Sequence, residues 1–591
     1  MIKRNCTVFT LAVMLVSSLC SAEVPLGHPD FVPSSDHPVG FRGDGTGCYP
    51  GATPPTEWED KYGQELGKNV LWKTPMPSRT NSSPIVVGKK VFTLADPDLL
   101  ICADALTGKI LWQKQVDHLT LWPADEAKKA RAVWNQQLAL LYEFWTSYQE
   151  RQFLIGKSRP GGKYPPVKVP DLDARQARLD ALEKEKSFAL SEDKGAGYDL
   201  IVGMFRQKNG WVSPFGEQQV AIRAELFEKY GFNFEQWRGY ITQTFRTPVS
   251  DGESIFVALG YGQVASYDLD GKQKWMVWQK PGGPKAMGDT KNAHPGMECG
   301  ACPSPILQGN RLIVQGAGNN RKNFVTAYDK ATGKQLWQTA VGSVKRDVGS
   351  PLATRLGTED VIVLAQGPIL RSSDGTIINP DAVPEGKGAR TANLAMQGNT
   401  AYFNWCTSHD SHQDDSYIEA VSLEAQGTAK TIWRAHVPGA MFVGGTFFDG
   451  YIYTGGTKSL GSMFVVQQSD GNVSGVKYPR MNDGFEHFGT TPPCVAGNKV
   501  YWSSSGRGKI LITSTGPALT EIGQGKLVDE ATNDMNGLIE KGKPTLDEYL
   551  DRYGRTKDLF PATFFIHGGP FFQGNRMYLR TTEYLYCIGS K

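Results

Sequence analysis

FVTAYDKATGKQLWQ, residues 324–338, repeats LICADALTGKILWQ, residues 100–113, almost position for position. The shared phrase Asp-x-x-Thr-Gly-Lys-x-x-Trp reads as a hairpin. Asp104 and Asp329 hold a turn with their side chains, Gly108 and Gly333 supply positive φ, and the chain returns as a strand carrying a tryptophan. YDLDGKQKW, ending at Trp275, writes the unit again with one residue fewer in the turn. Trp112, Trp275 and Trp337 are expected to bury their rings between neighbouring sheets.

Upstream of each hairpin stands a second phrase: a proline or small residue, a short apolar strand, a glycine turn and another strand. Its eight copies are anchored at Pro84, Pro248, Pro305, Pro351, Leu394, Thr446, Pro493 and Pro570. Each copy plus its hairpin supplies four strands at a period of about 45 residues, the mark of a β-propeller blade. The last copy runs out at YLYCIGSK, residues 584–591, before its fourth strand. That strand stands at the other end as NVLWKTPM, residues 69–76, with Trp72 in the tryptophan place. One end of the chain completes the blade begun by the other, which closes the ring and removes two open sheet edges. The fold expected is all-β, an eight-bladed propeller of four-stranded blades over residues 69–591, preceded by an extension over 23–68.

Two stretches break the period. Residues 117–243 intrude between the first and second blades, and Trp134, Leu138, Leu141, Trp145 and Tyr148 fall at helical spacing. DLDARQARLDALEKEKSFAL, residues 171–190, gives a second, more charged helix. Residues 528–560, with TLDEYLDRYG, form a shorter helical insertion before the last blade. Both read as packed decorations, or as a lid or docking arm.

Lys3 and Arg4 precede an apolar run over residues 8–16 and small residues ending at Ala22, the pattern of a secretory signal over 1–22 cleaved after Ala22. Leu19, where a small residue would precede a lipidated Cys20, argues against a lipid anchor. The expected location is the periplasm or the exterior, where cysteines can pair. The 63 Lys and Arg nearly balance the 60 Asp and Glu, so there is no basic field for nucleic acid. No later stretch is apolar for the length a transmembrane helix needs.

Eight blades built from these hairpins resemble the PQQ-like β-propeller repeat proteins, also called quinoprotein alcohol dehydrogenase-like. The likeness is strongest in blades 1 to 3. The resemblance implies one of two functions: a dehydrogenase holding pyrroloquinoline quinone and calcium on the propeller axis, or an interaction scaffold without cofactor. The dehydrogenases carry two adjacent cysteines over the quinone, and this sequence has no Cys-Cys pair. Cys299 and Cys302 are followed by Pro303 where a haem-attachment histidine would stand, so a fused cytochrome is not indicated.

In a propeller the loops leading into the innermost strands gather around the axis on one face. They supply Arg79, Arg346, Asp347, Glu486, His487 and His567, a set suited to an anionic ligand, or to pairing among its own members. His409, Asp410, His412, Asp414 and Asp415 in the fifth blade, with His294 before the third, are metal-ligand types without a recognised spacing, and a solvated polar loop is the competing reading. Cys299 and Cys302 read as a local disulfide, or as a metal site shared with His294. Cys102 and Cys587 read as small buried apolar groups.

The reading is therefore an exported ligand-binding or protein-interaction propeller without bound quinone. Its partner is an anionic small molecule, a glycan or another exported protein. The competing readings are a metal- or histidine-dependent hydrolase or lyase acting on an anionic carbohydrate, and a divergent quinone dehydrogenase using calcium or a single metal ion.

Overall fold

The computed structural model describes residues 23–60, 66–135, 173–175, 177–178, 180–181, 226, 229–232, 244–279, 303–317, 322–343, 349–383, 394–406, 416–438, 444–455, 462–477, 492–503, 509–527, 568–581 and 584–590. The proposed signal segment, most of both insertions and most lead-in loops lie outside these residues.

Eight antiparallel meanders of four strands form the blades. Blade 1 runs from Ile85 to Gln115, blade 2 from Val249 to Trp278, blade 3 from Ile306 to Ser343 and blade 4 from Leu352 to Asn379. Blade 5 spans Ala395 to His436, blade 6 Gly445 to Lys477 and blade 7 Cys494 to Lys526. Seven of the eight anchors in the sequence stand immediately before an innermost strand; Thr446 lies one residue inside its strand. Blade 8 takes three strands from Phe571–Gly589 and its outermost from Val70–Pro75, which pairs antiparallel with Tyr584–Gly589. The ring is closed across the two ends of the chain.

The hairpin phrase folds as its residue types dictate. Asp104 Oδ1 accepts from Thr107 N at 2.8 Å, Thr107 Oγ1 at 2.8 Å and Leu106 N at 3.1 Å, and Asp329 repeats the set with Thr332 and Ala331. These bonds hold both carboxyls below their ordinary value. Gly108 at φ 72° and Gly333 at φ 73° turn the chain.

The same hairpins latch the blades together. Trp72 Nε1 donates to Ala105 O in blade 1 at 3.2 Å, Trp112 to Leu269 O in blade 2 at 3.2 Å, Trp275 to Lys330 O in blade 3 at 2.9 Å and Trp337 to Ser372 O in blade 4 at 3.0 Å. Each indole lies over the turn glycine of the next blade. A Cβ on Gly108 would stand 2.5 Å from the Trp72 ring, so the glycine serves close approach as well as φ. Trp72, Trp275 and Trp337 are buried and Trp112 is half-buried.

A second ladder lies at the start of the innermost strands. Ser83 N donates to Thr247 Oγ1, Thr247 N to Ser304 Oγ and Ser304 N to Ser350 Oγ, each at 3.0 Å. These hydroxyl residues each precede a proline, at Pro84, Pro248, Pro305 and Pro351. The Ser/Thr-Pro dipeptide thus ties blades 1 to 4 side by side, blade to blade, around the axis.

The extension before residue 69 is the feature that the repeat did not foretell. On the face carrying the hairpins, Gly27 O accepts from Gly574 N of blade 8 at 2.6 Å, and Lys330 Nζ of blade 3 donates to Ser35 Oγ at 2.6 Å. The chain then turns inward. Val39 exchanges both backbone bonds with Ser250 of blade 2, and a Cβ on Gly45 would meet Leu352 of blade 4 at 2.7 Å. Arg42 reaches Gly445 O and Thr446 Oγ1 of blade 6. Cys48–Tyr49 returns as a strand parallel to the innermost strand of blade 7, and the Tyr49 ring packs on Phe571 and Phe572 of blade 8 at 5.4 and 5.0 Å. Contacts with the innermost strands of blades 2, 4, 6, 7 and 8 place residues 39–49 on the ring axis. The chain leaves by Trp58–Glu59, which adds a parallel strand to the outer edge of blade 7, giving that sheet six strands.

Candidate functional site

The lead-in face is described in part. Of the anion-binding set only Arg79 lies within the described residues; Arg346, Asp347, Glu486, His487 and His567 fall outside them. The same holds for the metal-ligand candidates His294, His409, His412, Asp414 and Asp415, and for Cys299 and Cys302. Among the described residues no group of three or more His, Cys, Asp or Glu is placed to hold a metal ion. Cys48, Cys102, Cys494 and Cys587 are free thiols, each pushed up by burial, and Cys102 and Cys587 pack in the apolar core between blades 8 and 1.

Arg79 is buried and its carbonyl accepts from Asp96 N at 2.8 Å. Two further arginines share this face. Arg246, in the loop leading into blade 2, is buried and its Nη2 donates to Gln315 O of blade 3 at 2.7 Å. Arg580, at the end of the second strand of blade 8, is buried and donates to Ser78 O, one residue before Arg79. Thr80 Oγ1 donates to Thr244 O at 2.6 Å, and Asp96 Oδ1 accepts from Thr244 N and Oγ1 at 3.1 and 2.9 Å. Arg79, Arg246 and Arg580, from blades 1, 2 and 8, thus lie along one hydrogen-bonded stretch of this face, with the guanidinium groups of Arg246 and Arg580 held by backbone carbonyls. Sequence reasoning missed Arg246 and Arg580. Arg246 was within reach, because it precedes Thr247-Pro248 in the phrase already aligned.

From the opposite face the axial segment brings its own polar tip. Arg42 is fully buried, with Nη2 donating to Thr46 O at 2.9 Å besides its bonds to blade 6. Asp44 Oδ1 accepts from Thr46 N at 3.0 Å and Thr46 Oγ1 at 2.5 Å. Asp44 stands between buried Gly43 and half-buried Gly45, and desolvation pushes its carboxyl up against the pull of Thr46 and Arg42.

A second buried cluster lies where residues 117–135 and 229–232 meet blades 1 and 2. Residues 118–121 form a 3-10 turn and residues 124–135 are helical. His118 is fully buried, its Nε2–H donating to Tyr230 O at 2.7 Å while Nδ1 has no partner. Phe232, Trp122, Tyr261 and Trp278 surround the ring at 5.3 to 6.4 Å. Burial lowers the imidazole to about 4. Close by, the buried Asp98 carboxyl is pushed up to about 6 by desolvation, with Arg131 Nη1 at 3.6 Å. No helix among the described residues is long and apolar enough to cross a membrane.

The family model described as outer membrane protein assembly factor BamB matches residues 63–141 and 233–403. No curated protein matches the chain in sequence. Among solved structures, BamB from Moraxella catarrhalis is similar at 12% identity and TM-score 0.35 over 57% of this chain and 82% of its own. Quinohemoprotein alcohol dehydrogenase from Comamonas testosteroni is similar at 10% identity and TM-score 0.40 over 88% and 76%. A computationally designed protein, Ika8, is similar at 9% identity and TM-score 0.41 over 88% and 100%. The matched repeats and the eight four-stranded blades are those of a PQQ-like β-propeller.

Proposed function

We propose that this propeller is an exported binding protein, a scaffold that recognises an anionic ligand or an acidic segment of a partner on its lead-in face, without a quinone. The occupied axis carries the reading. Quinone dehydrogenases of this type use the propeller axis for pyrroloquinoline quinone and calcium. Here residues 39–49 run along the axis between the innermost strands. The sequence has no adjacent cysteine pair to cover a quinone. Among the described residues, the filled axis does not fit that cofactor.

The arginine arc supports the charge of the ligand. The guanidinium groups of Arg246 and Arg580 are fixed by their neighbours, Arg79 lies buried beside them, and preorganised guanidinium groups favour planar anions such as carboxylates. Arg346, His487 and His567 are assigned to the same face from the repeat register.

Native mass spectrometry of the exported protein, purified without chelator and compared with its denatured mass, tests the reading. The expected result is bare polypeptide shortened by residues 1–22. An excess matching pyrroloquinoline quinone plus calcium would overturn it.

A further inference from the structure

The hairpin of blade 6 departs from the repeated phrase, and its departures write a different motif. Gly471, at φ 76°, keeps the turn and lies against the Trp433 ring, which a Cβ there would meet at 2.5 Å. Around it Asp470 takes the place of Thr107 and Thr332, Asn472 that of Lys109 and Lys334, and Ser474 that of Leu111 and Leu336. The product, Asp470-Gly471-Asn472-Val473-Ser474, contains Asn-x-Ser, the acceptor signal for N-linked glycosylation, with valine rather than proline in the middle.

The surroundings of the Asn472 amide are open. Asn472, Val473 and Ser474 are all exposed. Asp470 Oδ1 accepts from Asn472 N at 2.9 Å and Oδ2 from Asn472 Nδ2 at 2.6 Å, so the amide is held by its own turn. Val473 pairs with Val466 and Gly475 with Val465, which leaves Ser474 as the extra residue of a bulge, its Oγ reaching Val465 O at 3.3 Å. The strand that follows the turn, Val473–Lys477, is the outermost of its blade and among the described residues pairs on one side alone. Its first residues can lift into a transferase groove without breaking the sheet behind them.

A second copy of the signal, Asn81-Ser82-Ser83, has none of this access. Ser82 and Ser83 are buried, Ser83 N donates to Thr247 Oγ1 in the ladder between blades 1 and 2, and Pro84 follows directly. The third copy, Asn5-Cys6-Thr7, falls in the proposed signal segment.

We propose that Asn472 is an N-glycosylation site, accepting an oligosaccharide from a lipid-linked pyrophosphate donor. In the transfer Nδ2 forms a bond to the anomeric carbon of the sugar and loses one proton to solvent. The bond from that carbon to the pyrophosphate oxygen breaks, and the lipid pyrophosphate leaves with the electron pair. The inference goes beyond the proposed function and rests on one part of it, export of the chain. It puts the glycan on the hairpin face, away from the lead-in face. There it stands beside Val473 and Val476, 38% and 45% exposed on the open edge of blade 6, and covers an edge that would otherwise template pairing with another chain.

The test is production of the full chain, signal included, in a bacterium whose periplasm carries an N-oligosaccharyltransferase and its lipid-linked oligosaccharide, read by intact mass and peptide mapping. The expected result is one oligosaccharide, mapped to Asn472, with occupancy kept in Ser474→Thr and reduced about tenfold or more in Ser474→Ala. Mapping of the wild type locates the sugar even if a variant folds poorly. Bare Asn472 in protein cut after Ala22 overturns the site and leaves export standing. Bare Asn472 in protein that keeps residues 1–22 overturns the site and export together. A sugar at Asn81 in place of Asn472, or full occupancy in Ser474→Ala, also overturns the assignment.

Discussion

Blades 1 to 4 and blades 5 to 8 are built to the same topology and held together differently. The first half is joined by its own repeat: indoles latch blade 8 to 1, 1 to 2, 2 to 3 and 3 to 4, and the Ser/Thr-Pro ladder runs from Ser83 to Ser350. In the second half Trp433 latches blade 5 to Gln468 O of blade 6 at 2.7 Å, and the remaining joints are improvised. Asn379 Nδ2 donates to Gly427 O at 2.7 Å where the blade 4 indole would stand. Between blades 7 and 8 the extension takes over, with Tyr49 on Phe571 and Phe572, Tyr501 OH donating to Pro54 O at 3.2 Å and Trp58 on the outer edge of blade 7. The repeat is loosest where another part of the chain does its work. Divergence of the later blades thus reflects a change of joint, with the eight-fold architecture kept.

The comparison breaks most visibly if the extension is removed. Deleting residues 26–59 strips the joint between blades 7 and 8 and leaves blades 1 to 4 with theirs. Hydrogen exchange should show lost protection over 494–526 and 571–589, with residues 85–115 and 306–343 far less affected. Uniform loss throughout the ring would show that the halves are not separately held.

A smaller step attacks the same region through one buried ion pair. Lys73, in the strand closing blade 8, places Nζ 3.0 Å from Asp60 Oδ2 at the end of the extension, with side-chain exposures of 5% and 0%. Lys73→Met leaves a buried carboxylate unpaired and should cost about 3–5 kcal/mol in denaturant unfolding. Removal of the blade 3 latch by Trp337→Ala is expected to cost about as much, since a buried tryptophan is lost.

Next in size is a cancellation in pH dependence beside blades 1 and 2. The folded chain keeps His118 neutral down to about 4, whereas an unfolded histidine takes its proton near 6.5, so acidification across that interval favours unfolding. Asp98 acts in the opposite sense. Its folded carboxyl takes a proton near 6 and its unfolded one near 3.8, so the same acidification favours folding. Each effect reaches about 3 kcal/mol at its limit, and together they leave these two groups almost silent between pH 6 and 4. His118→Gln should expose a stability that rises on acidification over that window, and Asp98→Asn one that falls; identical pH profiles for the two variants would contradict the assignment.

The smallest effect sharpens the contrast at the axis. Ser304→Ala removes the acceptor of Thr247 N and leaves a buried donor unpaired, which should cost about 1–3 kcal/mol in thermal or denaturant unfolding.

Much of this architecture was legible in the sequence because it is local and periodic. Asp104, Gly108 and Trp112 declare a hairpin within nine residues, and Trp72 declares its blade by matching the phrase at the far end of the chain. The axial segment has no such signal. GFRGDGTGCYPG, residues 40–51, is glycine-rich and without period, and its conformation is fixed by partners such as Gly445, 403 positions from Arg42. His118 was silent for a related reason, since its box is assembled from Trp122, Phe232, Tyr261 and Trp278, which come together only on folding. Arg580 stands at a strand end, where an alignment of loops does not look.

The central claim is that residues 39–49 occupy the axis of the folded ring. Hydrogen exchange of a peptide covering them, in the full mature protein at neutral pH, tests it most directly. Val39 N donates to Ser250 O at 2.9 Å and Gly47 N to Arg42 O at 3.0 Å, while Gly47 O accepts from Val495 N at 2.8 Å. The account predicts exchange as slow as that of the second strand of blade 2, Ser254–Ala258. Exchange at the rate of an open loop would contradict it.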